Sequence, residues 1–535
     1  MIRDPFHPLI LARQTAAEAL AAAACELFPQ TALRGGEGTS KLFFYDFAFP
    51  FSFLSEFLPQ LEEKMRRLLK QEGLFKILEM IPSNAADLLK HHGQFLLAEE
   101  VASVERALVT LVQRGDFADW CEAPLLEEWD ERYAFKLVEF YPLLLSDGQE
   151  LIRVVGMLEE DKTALKAAVK KAPSFARGCH LNLLEEENLF APALEEGCWS
   201  WLPRGEVMKK TLVQWWEEQM GHQNFELMTT PPHQFAEDEK KPDLSLLASH
   251  QRYWEKVGKG KIAEMSYLTS ASNPSLKNGL FESRAGICDR AHAFVSDEEL
   301  FQECISSLQF IVKIPKILGF EFQIILYTGN VGIQKGASKE AKNYQLLQSV
   351  LKESGLEYLA IRDPGSEYAS RIQLQISDGL GRWWDGPFIE IDKNQGIKSG
   401  FTCVTLSAFY SLERLVALCL EKYQGLWPFW LSPEQVRIIP LTDEGRDYAL
   451  EVHRKLKDAG IRATWDEGRE PLKTRLHRAL KEKVPFAALI GKREKESNCI
   501  SFRTLRSSQD EKRGIEEFID MMRELNRSKD SELKN

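Results

Sequence analysis

The stretch after Leu426 constrains the fold most, because strand and helix periods alternate there without interruption. "QVRIIPL" alternates as a strand, "DYALEVHRKLKDAG" repeats its apolar residues at helical spacing, and "IRATWD" reads as a strand. "LKTRLHRALKEK" then reads as a helix, and "FAALIG" and "CISFRTL" as strands before a last helix. Strands alternating with helices of this length predict a compact α/β domain.

That stretch also differs in charge. The chain of 535 residues has a formal net charge of -12, yet from Leu426 onward 23 Lys and Arg face 20 Asp and Glu. The acid excess lies upstream. This excludes a protein coated in basic residues for indiscriminate nucleic-acid binding, and no DNA partner is expected, but a local basic face in the last quarter remains compatible.

A hydrophobic content of 44% supports several cores. Nine cysteines without any paired CxxC spacing fit a reducing cytoplasm and supply no zinc motif of their own. No window approaches the twenty uncharged apolar residues of a membrane span, so no membrane partner is expected. The opening "RQTAAEALAAAACELFP" looks like an export signal, but Glu18 interrupts the run and Glu26 follows it. Leu20, Ala23, Ala24 and Leu27 instead predict an amphipathic helix that ends at Pro29.

Helical stretches such as "LPQLEEKMRRLLKQEG" and apolar runs such as "KLFFYDFAF" make residues 1–155 an α+β domain. Residues 156–178, with "EEDKTALKAAVKKAPSFARG", predict a charged, solvated linker helix closed by Pro173 and Gly178. Residues 179–425 mix long helices with strands in an irregular order that favours α+β over a doubly wound sheet. "GLWPFWLSP" marks the boundary to the α/β domain of residues 426–527, and residues 528–535 read as a frayed tail.

The whole of "WPFWLSPEQVRIIPLTDEGRDYALEVHRKLKDAGIRATWDEGREPLKTRLHRALKEKVPFAALIGKREKESNCISFRTL" resembles the anticodon-binding domain of threonyl-tRNA synthetases. Further back, "LSAFYSLERLVALCLEKYQG" resembles the class II motif 3 of that family and "WLPRGEVMKKTLVQWWEEQMGHQNFELMTTPP" its motif 1. "SDGQELIRVVGMLEEDKTALKAAVKKA" is similar to its link from editing to catalytic domain, and "RQTAAEALAAAACELFPQT" with "KLFFYDFAF" to the first helix and next strand of its editing domain. The resemblance implies an α+β multidomain protein: an editing-like domain, a class II catalytic-like domain on an antiparallel sheet, and a C-terminal α/β anticodon-binding-like domain. It also implies a chain that lacks the small ubiquitin-like domain usual at the front of bacterial members.

Against that pattern the chemistry is depleted. The family's editing helix carries HxxxH, two imidazoles on one helix face, where this chain has Gln14 and Glu18. "CEAPL" keeps Cys121 but puts Leu125 where the second motif has His. Proton relay near neutral pH needs such imidazoles, and a lone Glu18 on a helix is expected to be solvated or capped. The family's zinc is held by one Cys and two His; the resemblance puts Asn273, His292 and Thr405 in those places. His292 then reads either as a residual metal ligand or as a hydrogen-bonded histidine on a strand, and zinc is not expected.

Between Pro274 and Arg284 the segment "SLKNGLFES" is too short for the motif 2 hairpin whose arginine grips the ATP α-phosphate. Arg284 is the nearest substitute, with a plain surface arginine as the alternative. Arg414 matches the motif 3 arginine that packs over adenine, or else serves a helix salt bridge near Glu413; Tyr410 stands where the family has Gly. Gln373 replaces an acidic residue of the strand pair that holds ATP and metal, and a neutral amide binds Mg²⁺ weakly. Asp392 remains there as a cofactor or structural residue.

Lys473, Arg475, His477 and Arg478 are the candidate tRNA contacts, through phosphate attraction, or form a merely solvated basic helix. Pro440 and Pro471 replace an Asn and a Gly of the base-reading surface. Trp215, Trp216 and Met220 stand available for a class II homodimer or heterodimer through motif 1, or belong to an ordinary core. The expectation is a threonyl-tRNA-synthetase-like paralogue without aminoacylation or editing, binding tRNA or a synthetase. The alternative is an active ligase with a zinc-free, remodelled site that still uses ATP and Mg²⁺.

Overall fold

The computed structural model describes residues 7–231, 242–257, 260–269, 276–327, 339–361, 370–391, 401–505, 507 and 509–530. The chain divides into two compact units. The first is Met1–Asn182 together with Leu276–Gly279 and Ser377–Trp383; the second comprises Leu183–Ser275, Leu280–Ile376 and Trp384–Asn535.

In the first unit, the helix Pro8–Leu27 opens on Pro8, whose missing N–H costs nothing at that position. It packs against the strands Ala32–Gly38 and Phe43–Ala48 and the helix Phe57–Leu69. The sheet is antiparallel in the order Ala32–Gly38, Phe43–Ala48, Glu150–Glu159, Ala134–Leu144, and a second, three-stranded sheet joins Lys76–Met80, Val109–Arg114 and Phe117–Trp120. The opening helix is buried on every side from Ala12 to Ala24. Its expected amphipathic stripe is therefore absent: alanine is small enough to let strands and a helix close in all round.

Close approach is clearest at Gly38, where an added Cβ would stand 2.1 Å from the backbone nitrogen of Gln14. Residues 156–159 of the expected linker lie inside the strand Glu150–Glu159, and the helix begins only at Lys162. Asp161 caps that helix by accepting from the N–H groups of Thr163 and Ala164 at 2.6 and 2.9 Å. None of its residues is buried, as its Lys-rich sequence requires, and the unit continues to Asn182.

The second unit is built on an eight-stranded sheet. Its order is Glu226–Leu227, Lys261–Thr269, Ala285–Ser296, Phe401–Ser407, Trp383–Ile391, Arg371–Ser377, Phe322–Tyr327, Leu359–Ile361. The outermost pairs are parallel, and pairs between them are antiparallel. The helices Pro203–His222 and Leu300–Ile317 bury long apolar faces.

The chain ends in a five-stranded sheet of order Ala463–Trp465, Val436–Pro440, Phe486–Ile490, Cys499–Thr504, Glu511–Gly514. The first three strands are parallel and the last two antiparallel, with helices Arg446–Asp458, Leu472–Lys481 and Ile515–Ser528. The strand Glu511–Gly514, "EKRG", has no apolar alternation to announce it; it is a charged edge of the kind that discourages further pairing.

The protein is thus α+β and multidomain. Among the described residues no helix is long and apolar enough to cross a membrane. All nine cysteines are free thiols.

Candidate functional site

Four places were marked by the sequence, and each is filled by the chain's own groups in a different way. In the first unit Gln14 and Glu18, one turn apart on the opening helix, face the end of the strand Phe117–Trp120. Gln14 Nε2 donates to Glu18 Oε1 at 3.1 Å and to Cys121 Sγ at 3.5 Å, while its Oε1 accepts from the N–H of Gly38 at 2.7 Å. Tyr45 donates to Asp119 Oδ2 at 2.5 Å. Glu18 is 1% exposed, so the expected solvated carboxylate is a buried one.

Burial, and then the charge of Asp119, hold the Glu18 carboxyl well above the usual carboxylate range. Burial likewise raises Asp119 and pushes up the Cys121 thiol, which is therefore no thiolate at neutral pH. This cluster has carboxyls, a phenol, an amide and a neutral thiol, but no imidazole to exchange protons near pH 7. Asp119 and Tyr45 escaped sequence reasoning; the signal was the spacing of Asp119 two residues before Cys121.

In the second unit, Arg414 lies in the first turn of the helix Leu412–Tyr423, which Ser411 caps. Its Nε donates to the carbonyl of Phe281 at 2.8 Å and its Nη1 to the carbonyl of Asp385 at 2.9 Å. The guanidinium carbon sits 4.6 Å from the ring centroid of Tyr410 and 5.6 Å from that of Trp384, which stacks on Phe281 at 4.6 Å. The expected salt bridge near Glu413 is not its role. Glu413 is buried and accepts instead from Trp201 Nε1 at 3.0 Å and the N–H of Ile287 at 2.9 Å.

Gln373 is fully buried, and its Nε2 donates to the carbonyls of Gly386 at 2.8 Å and Pro387 at 3.2 Å. A carboxylate could not make those bonds, and an amide donating this way does not fit a Mg²⁺ ligand. Asp392 lies outside the described residues. Arg284 is exposed, and its backbone N–H donates to the carbonyl of Gly197 at 2.9 Å.

His292 is buried on the strand Ala285–Ser296, opposite Thr405 of Phe401–Ser407. Its Nδ1 is 2.8 Å from Nδ1 of His250, whose Nε2 is 3.2 Å from Glu264 Oε2. Glu264 Oε1 also accepts from the N–H and hydroxyl of Thr230, at 3.0 and 2.9 Å. His250 thus bridges the Glu264 carboxylate and His292, the two Nδ1 atoms sharing one hydrogen bond. Burial, and then His250, hold His292 well below its usual range, so it is neutral.

Among the described residues no group of three His, Cys, Asp or Glu is placed to hold a metal. With Nδ1 of His292 committed to His250 and a hydroxyl opposite it, this donor set does not fit zinc; Asn273 lies outside the described residues. His250 and Glu264 were invisible as a pair in sequence, since a helix and a strand bring them together.

On the helix Leu472–Lys481 two of the four candidate cations are spent. Arg475 is buried, its Nη1 donating to the carbonyl of Pro440 at 2.7 Å and its Nε 3.3 Å from Asp466 Oδ2. Arg478 donates to Asp466 at 3.0 Å and to Glu470 at 2.7 Å. Burial acts to raise Asp466, but the Gly468 N–H and both guanidinium groups hold it below the usual carboxylate range. Lys473 and His477 stay exposed. A helix face with period 3.6 turns Arg475 inward, which charge counting cannot see.

The motif 1-like helix corrects another expectation. Trp215 and Trp216 are buried in the chain's own core, as is Met220. Trp215 stacks against Phe409 at 5.8 Å, and Trp216 Nε1 donates to Asp289 at 3.1 Å, so these residues are not available to a partner.

Residues 435–525 match the family described as the anticodon binding domain. The chain is similar to a threonine–tRNA ligase of Acetivibrio thermocellus, 23% identical with 97% of this chain and 89% of the relative covered. A threonine–tRNA ligase of Aquifex aeolicus is 26% identical over 99% of this chain and 91% of its own length. In fold, the crystal structure of the RNA binding domain of threonyl-tRNA synthetase from Cryptosporidium parvum aligns with a TM-score of 0.59 at 20% identity, covering 65% of this chain and 98% of that one. The chain is thus similar over nearly its whole length to threonine–tRNA ligases, and its C-terminal part matches an anticodon binding domain.

Proposed function

We propose that this relative of the threonyl-tRNA synthetases is a paralogue that forms no aminoacyl-adenylate and clears no mischarged tRNA, and that it acts in the cytoplasm by binding tRNA. The observation that carries the reading is Arg414. The one motif 3 cation that the chain retains spends two of its donors on backbone carbonyls and faces a phenol and an indole.

Adenylate formation needs cationic donors aimed at phosphate oxygens as charge develops. The exposed Arg284 and the committed amide of Gln373 supply neither a preorganised fork nor a metal carboxylate. The buried Gln14–Glu18–Asp119 cluster, for its part, offers no imidazole for editing hydrolysis. These side chains stabilise the scaffold instead.

For tRNA, the match of residues 435–525 and the exposed Lys473 and His477 favour phosphate attraction over base reading. ATP–pyrophosphate exchange measured with each amino acid tests the reading directly. Background exchange with all of them is expected, and robust exchange with any one would sink it. Filter binding to threonine tRNA should show affinity that falls steeply with salt; no salt-dependent binding would favour a protein partner, such as an active synthetase subunit, instead.

A further inference from the structure

The helix Lys162–Lys171, "KTALKAAVKK", carries cations and no acid. Its half-buried residues Ala164, Leu165, Ala168 and Val169 recur at helical spacing and form the inner face. Lys162, Lys166 and Lys170 repeat every fourth residue on the outer face, all exposed, with Lys171 beside them. Four residues of helical rise set these positions about 6 Å apart along the axis.

Elsewhere the chain pairs such groups. Arg66 and Arg67 of the helix Phe57–Leu69 reach Glu62 and Glu63, one turn back, at 2.7 and 3.0 Å. Around the linker helix the acids are spent: Glu159 holds Arg13 at 3.0 Å, Asp161 accepts from the helix's own N–H groups, and Glu139 accepts from Ser174 and the N–H of Phe175 at 2.8 and 2.6 Å. Among the described residues none of Lys162, Lys166, Lys170 and Lys171 is in an ion pair or a side-chain hydrogen bond. The helix dipole accounts for Lys170 and Lys171 in the last turn, but it disfavours Lys162 in the first. On a chain of net charge -12, an unpaired stripe of cations keeps its field for a partner outside the chain.

We propose that this stripe is the main contact of the chain with RNA phosphates. The inference rests on the reading of tRNA binding above and moves its weight. On the helix Leu472–Lys481 both arginines are consumed by Asp466, whereas the linker helix keeps four ammonium groups unspent. A lysine is a point charge without a planar fork, so the contact follows the phosphate backbone and not the base sequence.

The test is filter binding of the full chain to threonine tRNA and to an RNA duplex of unrelated sequence, from about 50 to 200 mM salt. The triple variant Lys162→Ala, Lys166→Ala, Lys170→Ala should stay folded, because alanine is the best helix former. It should lower the salt slope by about 3 and weaken the binding of both RNAs at least about tenfold at low salt. Arginine at the same three positions should keep the slope, and Arg66→Ala with Arg67→Ala should leave it unchanged.

An unchanged slope in the alanine variant, a larger loss from Lys473→Ala than from all three, or a loss confined to one of the two RNAs would overturn the stripe and leave tRNA binding itself standing. So would an alanine variant that melts far below wild type, because the lysines would then serve the fold. Wild type without salt-dependent binding to either RNA would overturn both the stripe and the tRNA reading.

Discussion

Glu18 shows how much one buried carboxyl can say. It lies against Asp119 inside the first unit, with its folded-state titration raised by burial and by that neighbour. The unfolded value is about 4.3. A raised folded value means that the contribution to stability is full below about pH 4.3 and is lost as pH climbs through the folded value. Glu18→Gln removes the charge and keeps an oxygen for the Gln14 amide. The variant is expected to melt above wild type at about pH 8 and close to it near pH 4; thermal melts across that range check this, and a lower melting point at pH 8 would refute it. His292 acts in the opposite sense, its neutral form contributing stability above about pH 6.5 that is lost on acidification. The C-terminal cations divide at the same scale. Arg475→Ala removes one of the two guanidinium partners of buried Asp466 and the donor to the Pro440 carbonyl, and is expected to cost about 1–3 kcal/mol in denaturant titrations. Lys473→Ala should leave stability within about 0.5 kcal/mol while lowering the salt slope of tRNA binding by about 1. Equal effects of the two on stability would contradict this division.

Among the elements, the opening helix is the one whose setting differs most from its pattern. Its alanines show a helical period, but burial on all sides is decided by what arrives later in the chain: the strand Ala32–Gly38, the strand Phe43–Ala48 and the helix Phe57–Leu69. Gly38 is where that packing is tightest. Gly38→Ala is expected to destabilise by about 1–3 kcal/mol, as overpacking against backbone does, and an unchanged denaturation midpoint would show that helix and strand can part. The helix Pro203–His222 makes the complementary point. Its tryptophans suit an interface as well as a core, and Asp289 settles the choice, gathering Trp216 Nε1 with the hydroxyl of Ser407 and the N–H groups of Ala408 and Phe409. Trp216→Phe removes one of those donors from a buried carboxylate and should cost about 1–3 kcal/mol.

For the molecule as a whole, two short segments belong to the first unit although they lie far along the chain. Leu380 accepts from Thr39 Oγ1 at 2.6 Å and Lys277 donates to the carbonyl of Arg34 at 2.6 Å. No local pattern marks such long-range bonds. The residues by themselves gave the α/β alternation after Leu426 and a charged helix in the linker, while the resemblance implied the missing imidazoles at Gln14 and Leu125 and Tyr410 in place of glycine. These depend on a few neighbouring residues, so they survive in one dimension. Tertiary structure alone decided that Arg475 and Arg478 are consumed by Asp466, that Trp215 and Trp216 turn inward, that His292 meets His250 and Glu264, and that Arg414 rests on Tyr410 and two carbonyls. Each is a pairing across tens or hundreds of residues, and the availability of a charge or ring depends on which partner reaches it first in space.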